Sequence, residues 1–226
     1  IASLGLVLLA STGYSEQLRN YRAEYYALLL LSAVGMMLLA SATELISLYI
    51  ALELSTLPLV ALSGFLRDSR SSESGLKFLL LSALSSGVLL YGLALTFGFA
   101  GSTHLADIAV QVKAVTSDEP FGASVLLLGV VLLVAGFGFK IASVPFQMWV
   151  PDVYEGAPTP VTAYLSVASK AAGFAVILRV FYSAFGSLDL DWALLFAGLA
   201  VASMTIGNLG AIAQRNIKRM LAYSTI

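Results

Sequence analysis

Cysteine is absent from the 226 residues and histidine occurs once. No thiolates and a lone imidazole leave nothing to ligate an iron–sulfur cluster, close a disulfide or attach a haem, so no cofactor is expected on this chain. Charge is scarce too: Asp, Glu, Lys and Arg make up 11% of residues, against about 25% in a soluble globular domain. The 12 basic and 13 acidic side chains leave a net charge of −1, with no basic field to attract nucleic acid. The composition is instead 59% apolar with a mean hydropathy of +0.91, which excludes a water-soluble fold and makes the lipid bilayer the expected surroundings.

Apolar runs of 18 or more residues recur along the chain, each long enough to cross a hydrocarbon core of about 30 Å as a helix. Reading them between polar breaks gives a partial span near 1–12, full spans near 25–43, 44–66, 74–100, 122–148, 159–185 and 192–214, and a last helix from about 217. Breaks such as Arg67-Asp-Ser-Arg70 and Gly186-Ser-Leu-Asp189 are short, so neighbouring helices run antiparallel. The expected fold is an all-α, multi-pass transmembrane helix bundle in a single domain over 1–226. Ile1 falls inside an apolar run with no basic segment ahead of it. The chain therefore reads as an internal piece of a longer one, and its opening run not as a signal peptide.

Alternating loops fall on alternate sides. Arg19, Arg22, Arg67, Arg70, Arg215, Lys218 and Arg219 lie on one side, and Lys113 stands alone on the other. The positive-inside rule makes the first side cytoplasmic, with the loops of Arg19, Arg67 and Arg215 inside, together with Pro151–Gly156. The 101–121 loop, with His104 read as plainly solvated, lies outside.

Three ionisable residues fall deep inside spans: Glu53, Lys140 and Lys170. Each costs at least about 2.5–3.5 kcal/mol at the bilayer centre, so function is the default reading. Glu53 lies nine residues after Glu44, about 13 Å along the helix axis and close to mid-membrane. Pro58 follows and frees the carbonyl of Leu54. Lys140 stands between Gly136-Phe-Gly138 and Pro145, a pattern expected to kink or break its helix where an ion site is built. Lys170 follows Thr162, Ser166 and Ser169, hydroxyls able to order a short water file. Snorkelling to an interface is the competing reading, but both lysines lie far from a predicted helix end. Glu44, Arg179 and Lys77 are placed nearer the interfaces and outside this set.

Burial disfavours the ammonium form of a lysine and a nearby carboxylate favours it, so a Glu53–Lys140 pair whose separation changes releases or takes up a proton. Lys170 behind it is an acceptor. No carboxylate cluster offers the several oxygens a sodium ion needs.

The stretch from Gly138 through Pro145, Trp149, Asp152-Val-Tyr-Glu-Gly156, Pro158 and Pro160 to Lys170 resembles the antiporter-like N subunit of respiratory complex I. Leu52-Glu53-Leu-Ser-Thr-Leu-Pro58 and Arg215-Asn-Ile-Lys218 through Thr225 look like the same antiporter family. The resemblance implies a partial inverted-repeat fold covering about the third to tenth of some fourteen family helices. It implies that Glu53, Lys140 and Lys170 form a proton relay, with Pro58, Pro145, Ser166 and Ser169 in support. It further implies a bacterial plasma membrane location, other membrane subunits of complex I as partners, and quinone reduced elsewhere in the assembly. The alternative is a subunit of a multisubunit cation/proton antiporter. Co-purification with a flavin- and iron–sulfur-containing assembly separates the two.

Overall fold

The computed structural model describes residues 1–14, 21–114, 120–188 and 192–226. Arg19 and Asp189, and part of the 101–121 loop, lie outside the described residues. The helices are α1 (Ala2–Gly13), α2 (Arg22–Ser41), α3 (Leu45–Ser63), α4 (Ser69–Ala100), α5 (Leu105–Lys113), α6 (Pro120–Ile141), α7 (Trp149–Gly156), α8 (Thr159–Ser183), α9 (Trp192–Ile212) and α10 (Ile217–Ser224). Six of them, α2, α3, α4, α6, α8 and α9, are long and apolar enough to cross a membrane.

Local chemistry sets the helix ends. Asp68 caps α4 by accepting from the Ser71 amide at 2.7 Å, and Gly101, at φ +66°, stops it by returning its N–H to Phe97. Such caps satisfy backbone groups that the first and last turns leave unpaired. Because α4 starts at Ser69, Lys77 sits about two turns inside it.

Helices α2 and α3 approach closely at Gly35, where a Cβ would stand 2.7 Å from the Leu54 carbonyl carbon and also crowd the Ser55 nitrogen. Small residues allow such approach where no water drives helices together. Ser32 reinforces the crossing by donating to the Ser55 carbonyl at 3.0 Å.

Three expectations about element boundaries change. The span drawn over 122–148 ends at Ile141, because Ala142 turns to φ +60° and Ser143 returns its N–H to Gly138. Pro145 has no N–H to continue the ladder, and helix resumes only at Trp149. The Pro151–Gly156 loop is itself most of the short helix α7. Finally, α5 forms within the 101–121 loop, burying Leu105, Ile108 and Val112. Paired backbone bonds dock its start on the start of α3: Leu45 N to the Thr103 carbonyl at 2.9 Å and Leu105 N to the Thr43 carbonyl at 3.0 Å.

The bundle has two chemically distinct ends. At one, Gly156 of α7 packs against the Arg70 backbone, and Asp152 joins Lys77 at 2.8 Å and Arg219 at 2.6 Å. Glu73 and Glu155 extend this ion cluster. Burial raises the Asp152 carboxyl, but Lys77 and Arg219 outweigh it and hold the group below its ordinary value. At the other end are Glu44, His104, Asp107 and Arg179. The Thr103 hydroxyl, bonded at 2.7 Å, lowers the Glu44 carboxyl.

Candidate functional site

Lys140 is the penultimate residue of α6 and is only 6% exposed. Its ammonium donates to Ser55 Oγ at 3.0 Å and Thr56 Oγ1 at 2.9 Å. Both hydroxyls spend their own protons on the Leu52 carbonyl, each at 2.7 Å. Their oxygens are thereby left as acceptors, and α3 offers Lys140 a cradle with the right polarity. A hydrogen bond to a charged group contributes about 1.5–3 kcal/mol, offsetting part of the burial cost.

Glu53 sits two residues before Ser55 and is half-buried. Its Oε1 accepts a hydrogen bond from the Ser86 hydroxyl of α4. The carboxylate lies near enough to act on the Lys140 charge through space, yet among the described residues the two form no direct ion pair. Pro58, buried inside α3, occupies the next turn.

Beside Lys140 and Ser86 lies a cavity of about 20 Å³, also bordered by Thr56, Ser82 and Ser169. Its wall on the α7 side is aromatic. Trp149 stacks on Phe78 at 4.6 Å between ring centres, and its indole N–H donates to the Phe139 carbonyl at 3.1 Å. That bond pins the restart of the helix beneath the turn carrying Lys140. Pro145 lies in the intervening loop, where the Val144 amide donates to Ser203 of α9 at 3.0 Å.

Lys170, 8% exposed, lies one turn from Gly173, whose missing side chain admits Ile141 and the stem of Lys140. Its ammonium donates to the Thr225 carbonyl at the end of α10. The preceding five residues, Leu165–Ser169, form a π-helical turn. Such a turn adds a residue and alters which side chains share a face. Accordingly, Thr162 bonds back to Tyr154 and Pro158, and Ser166 to Ala163, while Ser169 is buried at the cavity wall. Of the hydroxyls read from the sequence as leading to Lys170, Ser169 borders the cavity and Ser166 turns away from it.

Sequence reasoning did not single out Ser55, Thr56 or Ser86. Ser55 and Thr56 lie two and three residues after Glu53, and a hydroxyl at that spacing beyond an intramembrane carboxylate is a usable signal. Ser86 carries none, being one of several serines along α4.

Comparison with known proteins supplies the family. Residues 42–226 match the model of the transmembrane region of the NADH:quinone oxidoreductase/Mrp antiporter family. The chain belongs to this family. An oxidoreductase/antiporter family member from Dehalococcoides mccartyi, described as NADH-quinone oxidoreductase subunit N, is 50% identical over all of this chain and 47% of its own length. The chain thus spans about half the length of the curated relatives it matches. Among solved family structures, a chain in respiratory complex I from Thermus thermophilus is 38% identical with a TM-score of 0.78, covering 99% of this chain and 47% of that one. A chain of the Mrp complex from Dietzia is 22% identical with a TM-score of 0.77 over 89% of this chain and 37% of its own, a likeness of fold.

Proposed function

We propose that the chain is part of an N-type, antiporter-like subunit of a proton-translocating NADH:quinone oxidoreductase, in which Glu53, Lys140 and Lys170 relay protons. The observation that carries this reading is a lysine ammonium buried in a membrane helix on a cradle of hydroxyl oxygens, with a carboxylate nearby but not in contact. An ammonium in direct contact with a carboxylate would be held charged, and one with no polar neighbour would not enter the membrane. This lysine stands between those limits, so a small shift of Glu53 changes its hold on a proton.

In this reading, movement of Glu53 away from Lys140 favours proton release toward Lys170, whose helix packs against the end of α6 at Gly173. The break after Ile141 supplies the local freedom. Relatives named NADH-quinone oxidoreductase subunit N favour a multisubunit assembly, and in this reading quinone is reduced elsewhere in it while neighbouring membrane subunits flank this one. The site would lie in a bacterial plasma membrane, with the end carrying Arg67, Arg215 and the Asp152 cluster facing the cytoplasm, as the basic residues indicate.

The test is Lys140→Met in the full-length chain within its assembled complex, reconstituted into vesicles. Proton uptake coupled to quinone reduction is expected to be lost while the complex still assembles. Uptake at the wild-type ratio of protons to quinone would sink the relay role.

A further inference from the structure

We propose that Ser86 of α4 is a proton-relay residue between Glu53 and Lys140, an assignment that rests on the relay reading above and adds a component from a third helix. Ser86 donates its hydroxyl hydrogen to Glu53 Oε1 and borders the cavity that Lys140 also borders. At about 20 Å³ that cavity exceeds the roughly 10–15 Å³ one water needs, and hydroxyls from Thr56, Ser82 and Ser86 with the Lys140 ammonium supply its polar partners. A water there would link the Lys140 ammonium to Ser86, whose hydroxyl in turn holds the Glu53 carboxylate.

A serine hydroxyl both donates and accepts, which is what passing a proton requires. Lys140 gives an N–H proton to the cavity water, the water gives one of its protons to Ser86 Oγ, and the Ser86 hydroxyl proton moves to Glu53 Oε1. One N–H bond breaks, one O–H bond forms on the carboxylate, and water and serine end as they began. The products are a neutral amine and a neutral carboxylic acid, and the same steps in reverse return the proton to Lys140, from which it passes on toward Lys170. The two other hydroxyls on Lys140 cannot serve this way, because their protons are committed to the Leu52 carbonyl.

The experiment compares Ser86→Ala and Ser86→Thr with Lys140→Met, each in the full-length chain of the assembled complex. Proton uptake per quinone reduced is expected to fall several-fold in Ser86→Ala and to stay near wild type in Ser86→Thr, which keeps the hydroxyl. The infrared carboxyl band of Glu53, identified by its loss in Glu53→Gln, is expected to shift in Ser86→Ala and not in Ser86→Thr. Normal uptake in Ser86→Ala, or equal loss in both serine variants with an unshifted band, would overturn the assignment. Should Lys140→Met pump normally, the relay reading itself fails, whereas loss in Lys140→Met with normal uptake in Ser86→Ala removes Ser86 alone.

Discussion

Gly35→Ala tests how tightly the site depends on helix spacing. A methyl group at Gly35 would stand 2.7 Å from the Leu54 carbonyl carbon and 2.8 Å from Ser55 Cα. These are main-chain atoms of α3, so no rotamer change relieves the contact. Restoring an ordinary van der Waals separation of about 3.4 Å moves the backbones apart by more than half an ångström, and overpacking of this kind costs about 1–3 kcal/mol. Ser55 is also one of the two residues holding the Lys140 ammonium, in bonds of 3.0 and 2.9 Å that a shift of this size stretches toward the limit of hydrogen bonding. At about 2–4 °C per kcal/mol for a chain of this size, the unfolding midpoint should fall by several degrees. Thermal unfolding of the purified complex, with proton uptake per quinone reduced, reads both consequences. Gly87→Ala is the control, since a Cβ there meets nothing within 4 Å. If Gly35→Ala melts and pumps like the control, the close crossing of α2 and α3 does not position the site.

Two other outcomes concern the ends of the site. Ser203→Ala leaves the buried Val144 amide without its 3.0 Å partner and should cost about 1–3 kcal/mol, read as a lower unfolding midpoint, whereas Thr205→Ala, on an exposed face of the same helix, should cost under about 0.5 kcal/mol. Asp152→Asn should destabilise by no more than about 1 kcal/mol, because its half-exposed ion pairs are screened. The Asp152 carboxyl is held below its ordinary value of 3.8, so the wild type's advantage should be constant above about pH 5 and vanish as the pH falls through the lowered value. An advantage that instead shrank between pH 6 and 8 would assign it to another group.

The parts legible in the sequence were those where one residue contradicts its surroundings. Glu53, Lys140 and Lys170 stand out because an ionisable group in an apolar run has no inexpensive explanation, and the paired glycines and Pro145 flank the point at which α6 ends. The partners of those groups were not legible for the same reason. A serine in a membrane helix is equally at home as a small packing residue, so Ser86 differs from Ser82 only through where α4 lies against α3. Nor does local pattern reveal that Asp152 meets Lys77 and Arg219, since those pairings span 75 and 67 residues. Helix α5 was hidden by its polar neighbours, and the π-helical turn before Lys170 has no distinguishing composition.

That widened turn holds one residue more than ordinary winding requires. Rewinding it would swivel the chain from Lys170 onward by about 100° about the helix axis, relative to Thr159–Tyr164. The notch at Gly173 would rotate off the end of α6, and the lysine would let go of Thr225 to face a different neighbour. The extra residue in this turn is thus what seats the Gly173 notch on the end of α6 and aims the Lys170 ammonium at Thr225.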